Sequence, residues 1–244
     1  MAFLKLIFPL ASQYLVESSP AGEAQKASLS QALAWLDSQA QDQVVIVGPD
    51  RVEKTSLVFQ AAVSAAASGV KTAYICTHPL RRLPTSIHGM VIPEPSVMNN
   101  VDFIYLEEVS ELISWFAGAH NRENLPGFVI VEDILTYASQ ICDRKLERSL
   151  AKLCAIIADT VAWIASHTDL KRCHVLMTAP SRIASMTSVL SQFHFTTATY
   201  EGPSKDVDSL LSYGSDQCSV TVRFCRKKDV IFVTSVQAST LNMS

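Results

Sequence analysis

The sequence predicts an α/β domain of the phosphate-loop type, a mostly parallel sheet with helices on both faces and an antiparallel hairpin near the C-terminus. Short, nearly unbroken apolar runs alternate with helical periodicities, as strands buried on both faces require. A GPDRVEKT segment, Gly48–Thr55, leaves one such run and opens a helix. Apolar–polar alternation, the mark of a half-buried antiparallel strand, appears from Cys218 to Cys225.

Residues 1–40 read as an N-terminal extension with a helix, and residues 41–244 as the domain itself. Met1–Ala11 (MAFLKLIFPLA) has Lys5 as its lone charged side chain and Pro9 inside a short apolar stretch, which does not make a signal peptide. Ser18–Ser28 is small and polar around Pro20-Ala21-Gly22, the composition of a linker, and Leu29, Leu33 and Leu36 follow at helical spacing up to Ala40. Gln43–Val47 (QVVIV) is a β-branched strand ending at Gly48. Lys54–Ala67 offers Leu57, Val58, Ala61, Ala62 and Ala65 at helical spacing and stops at Gly69, where a C-terminal cap belongs.

Strands are expected at Lys71–Cys76, Val101–Leu106, Phe128–Val131 and Cys173–Thr178. Between them lie a helix over Val109–Ala119 and a longer one around Leu146–Ser166, whose apolar face is Leu146, Leu150, Leu153, Ile157, Val161 and Ile164. The tail alternates Cys218, Val220, Val222 and Phe224 with Ser219, Thr221, Arg223 and Cys225, then turns through Arg226-Lys227-Lys228-Asp229 into Val230–Thr234. That is a hairpin expected at the sheet's edge, with Cys218 and Cys225 on opposite faces and so unable to pair within the strand.

With 244 residues, 48% of them hydrophobic and 18% charged, the chain has material for one compact core. A formal net charge of −3 supplies no global attraction to nucleic acid, so any DNA contact must be local. The 6 cysteines are scattered without a C-x-x-C pair and read as reduced, mostly buried thiols. No apolar run approaches the roughly 20 residues that span a bilayer, so a soluble domain without membrane contact is expected.

The GPDRVEKT segment fits the G-x-x-x-x-G-K-[ST] loop at Gly48, Lys54 and Thr55, with Ser56 next in line, but carries Glu53 where the second glycine belongs. In such a loop, backbone N–H groups and the helix N-terminus converge on phosphate oxygens. Lys54 meets the β- and γ-phosphates and Thr55 offers its hydroxyl to Mg²⁺. Glu53, with Asp50 nearby, opposes a polyphosphate and should weaken ATP binding. The other half of the site is a carboxylate at a neighbouring strand end. Phe128–Val131 ends in Glu132-Asp133, and either acid could serve as metal ligand or catalytic group.

The segments VVIVG…KTSLVFQAAVSAA, AYICTHPLRRLP and GFVIVEDILTY resemble the RecA-type recombinase paralogues, in particular the SWIM-domain-associated ATPases of the animal Shu complex, over about Val44–Ala179. The resemblance implies a RecA-like sheet, single-stranded DNA binding, DNA-stimulated ATPase activity with ATP and Mg²⁺, and a zinc-binding SWIM-domain partner. It also implies service to a recombinase and its paralogues in homologous recombination, in the nucleus. Departures accompany it: Glu53 in the loop, His78 (in Thr77-His78-Pro79) where the family's general-base glutamate falls, and Ala179-Pro180-Ser181 at the polar sensor. Each is expected to weaken hydrolysis, because a general base must hold and deprotonate the attacking water.

The family's DNA-contacting loops correspond to Thr178–Phe195, where Arg182 stands with His194, Phe193 and Phe195. Arg81-Arg82, Lys171-Arg172 and Arg226-Lys227-Lys228 are further cationic points. Recombinase filaments are joined by a phenylalanine and an alanine three residues on. That spacing occurs at Phe8/Ala11, Phe59/Ala62, Phe116/Ala119 and Phe195/Ala198, and Phe8/Ala11, ahead of the core, is the candidate partner tether. The leading reading is a binding and assembly subunit with weak or lost ATPase. The alternative is an active single-stranded-DNA-stimulated ATPase using Lys54, Thr55 and Glu132. An unrelated phosphate-loop kinase or transferase is a third, for which lid arginines and an acceptor-site pattern are missing.

Overall fold

The computed structural model describes residues 3–10, 34, 42–50, 53–141, 145–168, 171–203, 208–214 and 218–240. Ala11, and all but Ala34 of the helix expected over Leu29–Ala40, lie outside them. The strands are β1 (Gln43–Gly48), β2 (Thr72–Cys76), β3 (Ser86–Ile87), β4 (Val101–Tyr105), β5 (Phe128–Val131), β6 (His174–Pro180), β7 (Thr196–Glu201), β8 (Ser209–Gly214), β9 (Cys218–Lys227) and β10 (Val230–Thr240). They form one sheet in the order β3-β10-β9-β8-β7-β1-β6-β5-β2-β4. From β7 through β1, β6, β5 and β2 to β4 the pairing is parallel, whereas β7, β8, β9 and β10 form an antiparallel meander.

Successive residues of the parallel strands feed two separate cores, which is why these strands are apolar without a break. Val44, Ile46, Tyr74, Phe128, Ile130 and Leu176 join the core under α1 (Phe3–Ile7) and α2 (Lys54–Ala67). Val45, Ile75, Val129, Val131, Val175 and Met177 join the opposite core. That face is covered by α4 (Val109–Ala117), α5 (Ile134–Ala138), α6 (Leu146–His167) and α7 (Met186–Gln192), numbered after α3 (Pro95–Met98). The expected fold class is therefore the observed one. Gly69 ends α2 as predicted, at φ +80° with its N–H donated to Ala66 O.

Two expectations are corrected by the packing. Phe8 is not an exposed tether: it is fully buried, its ring 5.3 Å from that of Phe224, and Phe3, Leu4, Leu6, Ile7 and Leu10 bury with it. The small alanines of α2 leave room for this segment, so its apolar residues pack on their own sheet. Phe59, Phe116 and Phe195, the other phenylalanines at that spacing, are buried as well. The second correction concerns α6. Its 22 residues are long enough for a bilayer span and include an 18-residue window of mean hydropathy 1.5, although Leu150, Leu153, Ile157, Val161 and Ile164 are used inside the second core.

Candidate functional site

The phosphate-loop candidate and the acidic strand end meet at the C-terminal edge of the parallel strands, with β6 between their parent strands β1 and β5. This is the edge where open α/β sheets hold ligands. Gly48 closes β1 against Tyr200 of β7. A Cβ there would lie 2.6 Å from Tyr200 O and 2.8 Å from Tyr200 Cβ, so the close approach of β7 alone requires glycine. Lys54, at the start of α2, curls back and donates from Nζ to Gly48 O at 2.9 Å and Pro49 O at 2.7 Å. Burial lowers its pKa, while the charges of Asp133 and Asp50 support the ammonium.

Thr55 faces Glu132. Burial raises the pKa of the Glu132 carboxyl, and the Thr55 and Tyr74 hydroxyls beside it favour the ionised form without outweighing that burial. The Tyr74 hydroxyl is buried with no hydrogen-bond partner among the described residues. Burial, with the Glu132 charge, pushes the neighbouring Cys76 thiol up to about 11, an inert structural cysteine. Ser56 is buried, and its hydroxyl accepts the Thr85 N–H at 3.1 Å, so it offers the loop its backbone only.

Asp133 is the most constrained residue of the site. Its φ of 49° and ψ of 64° are left-handed, a conformation that asparagine and aspartate tolerate better than most residues. Its N–H donates to Thr178 Oγ1 at 2.8 Å, and its Oδ2 accepts the Thr136 hydroxyl at 2.8 Å. Its Oδ1 is buried with no hydrogen-bond partner among the described residues. Thr178, on β6, was missed in the sequence: the polar residue that touches the acid pair comes immediately before Ala179-Pro180-Ser181.

The loop's two carboxylates are not free. Asp50 accepts from Arg182 Nε at 3.2 Å and its terminal nitrogen at 2.8 Å, and Glu53 accepts from Arg226 at 2.7 Å. Arg182, the candidate DNA contact, is paired with Asp50 of the phosphate loop and stays 63% exposed. Phe195 is buried and Phe193 packs on the second core, so the window after β6 lacks the free aromatic faces expected of it. Arg81 and Arg82 are exposed in the loop after β2. His78 is also exposed, its Nδ1 3.8 Å from a Glu107 carboxylate that is equally exposed.

The donor set fits Mg²⁺. A small hard cation held with nucleotide phosphates takes one or two protein oxygens, and Thr55 Oγ1, Glu132 and the orphaned Asp133 Oδ1 are such oxygens. Among the described residues no group of three or more His, Cys, Asp or Glu forms a self-sufficient metal cage.

No family model matches the chain, and no curated protein matches it in sequence. Solved structures match it in shape. The flagellar accessory protein FlaH from Methanocaldococcus jannaschii aligns over 79% of this chain and 89% of its own, at a TM-score of 0.50 and 13% identity. A KaiC-like protein from Pyrococcus horikoshii aligns over 79% and 89%, at a TM-score of 0.50 and 12% identity. The fold is RecA-like. A RadB recombinase aligns over 79% of this chain and 91% of its own, at a TM-score of 0.47 and 15% identity. At these identities the likeness establishes a RecA-like architecture and leaves the activity to the site.

Proposed function

We propose that this chain is a RecA-like nucleotide-binding subunit with weak or absent hydrolysis, acting as a mediator in homologous recombination. In this reading it works in the nucleus on single-stranded DNA, beside a zinc-binding SWIM-domain partner and in service of a recombinase and its paralogues. The observation that carries the nucleotide part is the pairing of Thr55 with Glu132, beside a Lys54 whose charge is supported by Asp133. Those groups come from distant parts of the chain and converge at the edge where phosphates bind. The recombination, partner and DNA parts rest on the sequence resemblance around Val44–Ala179.

When bound, Mg-ATP would supply the polyphosphate and a divalent cation that offsets its charge. Lys54 would exchange the Gly48 and Pro49 carbonyls for phosphate oxygens. Thr55 and Glu132, with Asp133 beside them, would hold the ion. Hydrolysis is weak in this reading because nothing at the end of β2 orients water: His78 is exposed and has only a long contact to Glu107. Calorimetric titration of purified protein with Mg-ATP tests the binding part. Saturable binding that disappears in Lys54→Ala is expected, and heats indistinguishable between the two proteins would refute it. Co-purification with the SWIM-domain partner and gel-shift of single-stranded DNA by the pair test the assembly part. Failure of both would leave a nucleotide-binding fold without the mediator role.

A further inference from the structure

Glu53 occupies the position where a phosphate loop carries glycine, yet it causes no backbone strain, with φ −73° and ψ 29°. What remains of the problem is its charge. A carboxylate at the start of a helix ordinarily turns inward and accepts the first-turn N–H groups. Glu53 does not: it makes no capping hydrogen bond to α2. Its carboxylate is drawn outward to Arg226, at the β9 end of the β9–β10 turn, at 2.7 Å. Arg226 is in turn fixed by donating to Lys228 O at 2.9 Å and to Asp229 Oδ1 at 3.3 Å. The pair is less exposed than the other clamp, its side chains being 38% and 23% exposed, whereas Arg182 and Asp50 are 63% and 50% exposed. Screening by solvent and salt therefore weakens the Arg182 pair more.

We infer that Arg226 is a positioning residue for the nucleotide site: by holding and neutralising Glu53 it keeps the first-turn N–H groups of α2 open to an anion and does the work of the missing glycine. The inference rests on the nucleotide reading above and extends it to the β9–β10 hairpin. A consequence is that the affinity of the loop for polyphosphate is set from a turn 173 positions away in sequence.

A double-mutant cycle on Mg-ATP affinity, with Tm of each unliganded variant measured alongside, decides it. Arg226→Ala should weaken binding by about tenfold or more, because it leaves an unpaired carboxylate beside the phosphates. Glu53→Gly should bind at least as tightly as the unmutated chain, and Arg226→Ala added to it should then cost nothing. Rescue by Glu53→Gly is what a merely structural role of Arg226 in the hairpin would not produce. Arg226→Gln, which keeps the side chain's stem as far as Cδ and loses its charge, guards against a packing effect and should behave as Arg226→Ala. Equal losses in both backgrounds, or no loss in either, would overturn the inference while nucleotide binding stands. Absence of Mg-ATP binding in the unmutated chain and in Glu53→Gly alike would overturn the nucleotide reading and this inference together.

Discussion

The ends of two neighbouring stretches of the same sheet edge differ sharply. At β1 and β5, Lys54, Thr55, Glu132 and Asp133 converge, and even the misplaced carboxylates Asp50 and Glu53 have arginine partners. At the end of β2, His78 stands in solvent with one 3.8 Å contact. The groups proposed to meet a phosphate have charged and hydrogen-bonded neighbours, and the group that would activate water has no such support. In the proposed reading binding and hydrolysis are thus separable in this fold, and the chain keeps the apparatus of the first.

The comparison breaks most decisively at Lys54. Ligand bound to the folded state alone adds about 2.7 kcal/mol at a hundredfold excess over Kd, and Lys54→Ala should remove that Mg-ATP-dependent rise in Tm entirely. Gly48→Ala should come next, because a Cβ 2.6 Å from Tyr200 O forces β7 away. A loss of about 1–3 kcal/mol is expected, read as a lowered Tm without ligand. Thr178→Val strips the buried Asp133 N–H of its acceptor. It should cost about 1–3 kcal/mol, with Mg²⁺-dependent nucleotide affinity falling as Asp133 loses its anchor.

Glu132 sharpens the contrast in the opposite direction. Burial raises its pKa above the ordinary 4.5. Between that value and the raised one the folded chain holds more protons than the unfolded chain, so stability falls as pH climbs through the window. Glu132→Gln should flatten that part of the Tm–pH profile and raise Tm above the window, while weakening Mg-ATP binding. The smallest effect belongs to His78. His78→Ala should leave residual turnover as it is, in place of the loss of about 100-fold or more that follows removal of a general base.

Much of this architecture was legible because burial on both faces writes itself into composition. β1, β2, β4, β5 and β6 appear as apolar runs, and Gly69 marks the end of α2. β7 (TTATYE) and β8 (SLLSYG) were not predicted, since they are short and polar on alternate positions and gain their place from pairing with β1 and β9. Phe8 read as an exposed tether because nothing local says that α2 will be small enough to receive the segment that carries it. Within the site, Gly48, Lys54, Thr55 and the Glu132-Asp133 pair could be picked out from strand-to-helix context. The left-handed turn at Asp133 and the Thr178 contact could not. Neither could the arginine clamps: Arg182 reaches Asp50 across 132 positions and Arg226 reaches Glu53 across 173, and charges that far apart in sequence leave no local signature.

The most direct test holds binding and hydrolysis in one tube: protein mixed with radiolabelled Mg-ATP, with and without single-stranded DNA, then separated from free nucleotide and the retained label identified. A retained cradle beside a lost water-activating end predicts bound label that is unchanged ATP in both conditions and vanishes in Lys54→Ala. Either no retained label in the unmutated protein, or DNA-dependent conversion of ATP to ADP over many turnovers, would contradict it.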